Sequence, residues 1–438
     1  VIGWWDKLSE AEREQALSRG LDKIFDAGLR AGIAGLVEDV RLRGDAALVE
    51  ALRTFDGCEV GAAGLRVTDE ELEKAQAGID PGLLAAIRDG IGHVRRFSEQ
   101  LTARGDWSFE SEPGLTVGEK VSPIASAGLF VPSGKGSYPS VLVQLGTPAV
   151  VAGVPQIAVV VPPVPGSAGE VDPAVLVVAA ELGIREVFRC NGPAGVAALA
   201  FGTESVPRVR KIVGPGSPAV TCAQIEVQRY GTVTNMLLGP SESLIIADDS
   251  ADPRLLAADL LNEAEHGPDS ASVLVTDSEP LLAAAQQQVA AQLAALPQPR
   301  QGYAATALGL NGGAILVRDL AEAAEVANAY APEHMQIAVR AGDEDELLAR
   351  LHNAGEILIG QDTTISAANF IIGCPASLPT SGFAAVSSGV TADVFRKRTA
   401  VARADRRALT RMSESIIAFA GHEGFPAHEA AVRIRLEP

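Results

Sequence analysis

Two short segments carry the side chains best suited to chemistry. In "NEAEHGPD", Asn262 to Asp269, Glu263 and His266 stand one helical turn apart at the end of an apolar run. Residues at that spacing project from one helix face, the arrangement by which Glu-x-x-His pairs hold metal ions. A charged, solvated helix end ahead of Gly-Pro explains the same letters. In "AYAPEHM", Glu333 and His334 follow a proline that ends the preceding helix. Neighbours on a helix diverge by about 100°, so this pair suits two separate tasks in a loop or first turn, a proton acceptor and a water activator. A third segment, "GHEGFPAHEAAV", brings His422, Glu423 and His428 near the C-terminus. Four of the six histidines thus fall in three segments, and that clustering favours function.

Two glycine-rich turns invite a second kind of chemistry. "VPSGKGSYPS" and "VGPGSPAV" sit where a strand gives way to a helix, a place where backbone N–H groups bind phosphate. Neither is G-x-G-x-x-G, nor the Walker pattern despite Gly134-Lys135. A tight strand-to-helix turn accounts for the glycines equally well.

The elements that must position these groups are legible as alternation. "ASAGLFVP", "QIAVVVPP", "REVFRC" and "VRKIVGPG" are short apolar runs ending in Pro or Gly, separated by helical stretches such as "PAVLVVAAELGI". Strands apolar on both faces, alternating with helices, predict a parallel sheet covered on two sides. The pattern resumes with "LIIADD", "ASVLVTD" and "GAILVRD" around "PRLLAADLLNEAEHG" and "LAEAAEVANAYAPEH", predicting a second α/β unit. From Ser9 to Arg104 the spacing predicts peripheral helices, and after Thr380 a small helical C-terminal domain or arm. The expected fold is α/β, with two parallel-sheet units and smaller helical ends.

Composition limits what such a chain does. At 438 residues it exceeds one growing core. A formal charge of -19 repels a phosphate backbone and removes the electrostatic case for nucleic-acid binding. No run of about 18 apolar residues predicts a membrane span, and the start lacks the basic head and apolar stretch of a secretory signal. A cytoplasmic protein is the expectation. The cysteines, Cys58, Cys190, Cys222 and Cys374, lie too far apart for C-x-x-C chemistry and read as reduced, mostly buried residues, with Cys374 in a loop.

Read together, "GLFVPSG", "GPGSPAVT", "GPSESLIIAD", "DLLNEAEHGPD", "APEH", "NAGEILIG", "LPTSGFAAVSSG" and "EGFPAHEAAV" resemble the histidinol dehydrogenase family, in its order and over nearly the whole chain. The resemblance implies Zn2+ enzymes that oxidise an amino alcohol in two NAD-dependent steps, as homodimers whose tails complete the partner's site. It implies two incomplete Rossmann-like domains, 105–237 and 238–380, between an N-terminal segment, 1–104, and a dimerisation arm, 381–438. By resemblance, His334 takes the alcohol proton and Glu333 activates water. Ser241 and Glu423 match substrate contacts, and His266 and His428 match zinc ligands.

Several positions depart from the family pattern. Glu263 stands where the family has Gln, and Asn369 where it has Asp, so one carboxylate and one amide remain and the pair looks coupled. The family's substrate-facing His is Ala376, which predicts a substrate other than histidinol. At the dinucleotide contacts its Tyr, Gln and Asn are Phe130, Ala194 and Ser217, which predicts weaker NAD binding. The expected function is metal-dependent, NAD-linked oxidation of a small polar alcohol, with metal ligands Glu263, His266, Asn369 and His428. Two alternatives stand beside it, metal-assisted proton transfer without NAD and a catalytically silent scaffold.

Overall fold

The computed structural model describes residues 2–19, 26–133, 136–235 and 239–437. Gly134 and Lys135, in the first glycine-rich turn, lie outside the described residues. The chain begins with a two-residue strand, β1 (Gly3–Trp4), and after a helical stretch forms β2 (Trp107–Glu112) and β3 (Leu115–Pro123).

Strands β4 (Ala127–Phe130), β5 (Ile157–Val161), β6 (Glu186–Arg189), β7 (Lys211–Val213) and β8 (Val233–Thr234) build a parallel sheet in the order β6-β5-β4-β7-β8. Successive side chains of a strand face opposite ways, and here both faces are buried. In β5, Val159 and Val161 enter one core cluster while Ala158 and Val160 enter another. That is why the run "IAVVV" shows no polar alternation.

Strands β9 (Glu242–Ala247), β10 (Ala271–Thr276), β11 (Gly313–Leu316), β12 (His334–Ala338) and β13 (Glu356–Ile359) form the second sheet, ordered β1-β11-β10-β9-β12-β13 and also parallel. Leu244 and Ile246 of β9 point into one core, Ile245 and Ala247 into the other. The mixed α/β fold with two parallel sheets agrees with the sequence pattern.

The ends of the chain add strands to the expected helices. Helices Glu10–Leu17, Ala27–Arg43, Asp69–Gly78 and Pro81–Thr102 fall in the stretch expected to be helical, while ahead of them β1 is the edge strand of the second sheet, joined to β11 and anchored by the buried Trp5. Two residues are too few to show a period of two. In the C-terminal arm a nine-residue strand, β14 (Arg396–Ala404), precedes the expected helices Arg406–His422 and Pro426–Leu436. It pairs antiparallel with β3, which in turn pairs with β2. Eight of its nine residues are exposed, so "RKRTAVARA" carries no buried face to betray a strand. Among the described residues, no helix is long and apolar enough to cross a membrane.

Candidate active site

Parallel topology explains how the two chemical segments meet. A crossover helix must run back against its strand to start the next one. Helix Pro253–Ala264, between β9 and β10, therefore ends at the amino edge of the second sheet. There it meets the first residues of β9, β12 and β13, which are Glu242, His334 and Glu356. Asp252 caps the helix start by accepting the Arg254 N–H, and Pro253 occupies the first turn. The helix stops at Ala264, and the following turn brings His266 Nε2 to 3.9 Å from Glu263 Oε1.

The other segment is set by a sharp exit from helix Leu320–Tyr330. Ala331 caps it in the left-handed region, with φ 48°. Only one other non-glycine described residue has positive φ, Ser381 at 55°, and both border the site. Strain of this kind persists where surrounding contacts impose it, often at functional sites. Gly355 completes the corner, since a Cβ there would lie 2.5 Å from the Glu333 carbonyl oxygen.

At the centre, the His334 Nδ1 lies 2.5 Å from Glu356 Oε1, and its Nε2 lies 3.8 Å from Glu333 Oε1. Glu333 Oε2 accepts the Glu242 backbone N–H at 3.1 Å. The Glu242 carboxylate is paired with Arg19 at 3.3 Å and accepts the Ser381 N–H at 2.9 Å, while the Arg19 guanidinium stacks 3.8 Å above the Tyr330 ring. Glu263 is 1% exposed, and neither of its carboxylate oxygens has a hydrogen-bond partner.

These groups perturb one another. Burial drives the Glu333 carboxyl well above its usual range, and the nearby Glu263 charge adds to this against the pull of His334. Burial pulls the His334 imidazole down, but Glu333, Glu263 and Glu356 together carry it up to about 10. Burial raises Glu242 to about 7 against the opposing Arg19 charge.

Such a cluster is suited to a divalent cation. Glu263, Glu333 and His334 each bring a ligand atom within 4.8 Å of the others. Four buried carboxylates, Glu242, Glu263, Glu333 and Glu356, face one guanidinium and one imidazole, which leaves an excess of negative charge. The negative end of the Pro253–Ala264 helix dipole points the same way. The two bare oxygens of Glu263 are the strongest sign, since a buried carboxylate without donors is costly unless a cation compensates it.

The remaining sequence-derived residues take several places. Asn369 lies in the last turn of the short helix Ile365–Phe370, which is fastened to the Glu263 helix by Thr364 to Asp259 at 2.5 Å and Ser366 to Asn262 at 3.0 Å. Ser241 precedes β9 and lines a cavity of about 370 Å³ with Arg19 and Glu12. Ala376 lies in the loop beside helix Pro139–Val151. Glu423, in the turn after helix Arg406–His422, and His428, on helix Pro426–Leu436, are exposed, and within one chain they do not join the cluster. Phe130 and Ala194 are buried below the carboxyl edge of the first sheet, whereas Ser217 is exposed at the start of helix Pro218–Gln228. Three cysteines are buried and Cys374 is half-buried, all free.

Sequence reasoning did not single out Glu242, Glu356, Arg19 or Asp259. A signal for the first two was present, because in "ESLII" and "EILI" a carboxylate leads an apolar strand, where it must find a buried partner. Arg19 pairs with a residue more than two hundred positions away, and no local pattern announces that.

Fold and site together define an α/β scaffold with two parallel sheets and a buried carboxylate–imidazole centre at the edge of the second. The chain belongs to the histidinol dehydrogenase family, whose family model matches residues 23–436. It is 38% identical to a histidinol dehydrogenase homolog of Colwellia psychrerythraea, covering 97% of this chain and 94% of the relative. It is also 38% identical to the histidinol dehydrogenase of Methanosarcina barkeri, covering 98% and 96%. The crystal structure of histidinol dehydrogenase from Elizabethkingia anophelis superposes with a TM-score of 0.92 at 30% identity, over 98% of this chain and 96% of that one. The family is one of NAD-linked oxidoreductases.

Proposed function

We propose that this chain is a metal-dependent, NAD-linked dehydrogenase of a small polar alcohol or amino alcohol other than histidinol. The observation that carries the reading is the donor-free, buried carboxylate of Glu263 beside Glu333 and His334. Glu263, His266 and Asn369 of one chain, with His428 from the tail of a second copy, would hold zinc. Bound there, zinc would supply Lewis-acid polarisation of a substrate hydroxyl, and NAD would supply the hydride acceptor.

The chain's own residues handle the protons. Glu356 accepts the Nδ1–H of His334 and so selects the tautomer whose Nε2 can take the alcohol proton. Glu333, positioned by the Glu242 N–H, is placed to take a proton from water in a second oxidation. Glu423 and His428, exposed in one chain, are the residues a partner's site would receive. Ala376 offers a substrate no imidazole, which supports a substrate other than histidinol.

For the dinucleotide, the carboxyl edge of the first sheet offers the starts of helices Gly192–Phe201 and Pro218–Gln228. Neither start is capped by a side chain, so backbone N–H groups are available for a pyrophosphate. Phe130 and Ala194 supply packing there and no hydrogen bond. Their burial favours one alternative, metal-assisted proton transfer without NAD. Calorimetric titration of the zinc-loaded protein with NAD separates the two. Saturable binding together with NADH formation from an amino alcohol supports the dehydrogenase, and absence of binding contradicts it.

A further inference from the structure

The loop that carries Ala376 runs along the active site. Ser381 donates its N–H to Glu242, and Leu378 packs on Gly355, whose neighbour Glu356 holds His334. On its other side the loop meets helix Pro139–Val151. There the Ala376 N–H donates to Gln144 Oε1 at 3.4 Å. With that contact the amide oxygen is assigned to the loop side.

The other end of the same amide is unaccounted for. Gln144 is 3% exposed, and its Nε2 is buried without a hydrogen-bond partner. One turn on, the Thr147 hydroxyl is equally buried and equally unpartnered. Pro148, inside the helix, has no N–H to return to the Gln144 carbonyl. Buried polar groups are almost always paired, and an orphan in a native protein calls for a missing ligand or a functional role. The Gln144 amide sits beside Ala376, the position where by resemblance the family carries an imidazole.

We propose that Gln144 is a specificity-determining residue whose Nε2–H donates to an oxygen on the tail of a substrate that reaches the Ala376 loop. This rests on the dehydrogenase reading above. A neutral oxygen, a hydroxyl rather than a carboxylate or phosphate, fits best, because Glu333, Glu356 and Glu263 make the neighbourhood anionic. The substrate class is then an amino alcohol bearing a second hydroxyl.

The test compares amino diols with their deoxy partners. Initial rates would be measured for 2-amino-1,3-propanediol, 2-amino-1,4-butanediol and 2-amino-1,5-pentanediol, each beside the 2-amino-1-alkanol of the same length. The expected result is a preference of at least tenfold in kcat/KM for the diol at one chain length, abolished in Gln144→Met. Gln144→Met should keep its zinc and melt no lower than wild type, since it removes an orphaned donor. Ala376→His, which sets an imidazole against Gln144, should lose the same preference. An active wild type whose diol preference is absent, or survives in Gln144→Met, overturns the proposal and leaves the dehydrogenase reading intact. A lower melting temperature in Gln144→Met with selectivity unchanged also overturns it, because Gln144 would then be a structural bridge. A wild type that oxidises none of the six alcohols overturns both readings.

Discussion

His334 and Glu356 are register partners, the first residues of adjacent parallel strands β12 and β13, and their side chains meet at 2.5 Å on the buried edge of the sheet. The pairing fixes the imidazole through backbone register, with the carboxylate delivered by the neighbouring strand.

Glu356→Gln keeps the shape of this contact and removes its charge. The amide can still touch Nδ1, but it no longer favours the tautomer or the charge that Glu356 favours. We expect kcat to fall by about ten- to a hundredfold with bound zinc unchanged. The pH profile should move as well. Glu356 helps raise His334, so without it the imidazole loses its proton at lower pH. Steady-state kinetics against pH, beside metal analysis, checks both, and a kcat within twofold of wild type would count against the relay.

Zinc affinity should rise with pH. In the metal-free chain burial shifts the Glu333 carboxyl upward, and the surrounding carboxylates raise His334 to about 10. His334 therefore keeps its proton at neutral pH until a cation offsets those carboxylates. Binding must then release protons, and release becomes easier as pH rises. Competition against a chelator of known affinity should show at least a tenfold gain between about pH 6 and pH 8. A flat dependence would mean that neither group titrates with the metal.

The Arg19–Glu242 pair should govern stability more than turnover. Removing one partner of a buried ion pair costs about 3–5 kcal/mol because the other charge is left uncompensated. Burial raises Glu242 to about 7 in the folded protein, above its unfolded value of about 4.3. A raised carboxyl favours the folded state below the unfolded value, and that contribution is lost as pH climbs through 7. Arg19→Met therefore costs most at pH 8 and much less at pH 5, where Glu242 carries its proton. Urea unfolding of metal-free Arg19→Met and wild type at the two pH values measures this, and a penalty independent of pH would refute it.

Much of this was legible in the sequence, for reasons that differ by element. Strands β4, β5 and β10 declared themselves because both faces are buried and the runs are continuously apolar. Glu263 and Glu333–His334 stood out because carboxylates and histidines beside Gly or Pro mark the ends of elements. Strand β14 was hidden because its side chains stay exposed in a single chain, and no apolar alternation is needed where no face is buried. Glu242 and Glu356 were quoted within their motifs, yet their roles depend on which strands lie side by side. The order β9-β12-β13 is a tertiary fact. Gln144 lies with Ser140 and Thr147 in an otherwise apolar helix, and its orphaned amide emerges only when Ala376 is seen across from it.

Glu263 and Asn369 provide the sharpest test. By the resemblance each stands where the family holds the other kind of side chain, and the helices carrying them are fastened together by Thr364–Asp259 and Ser366–Asn262. If they share one metal, exchanging the carboxylate and the amide should leave the charge of the site unchanged. The decisive measurement is zinc titration, by calorimetry, of chelator-treated wild type, Glu263→Gln, Asn369→Asp and the double variant. The account predicts one zinc per chain in wild type, a loss of affinity of at least tenfold in each single variant, and recovery to within a few-fold in the double. Absence of zinc binding in wild type, or losses in the single variants that simply add in the double, would contradict it.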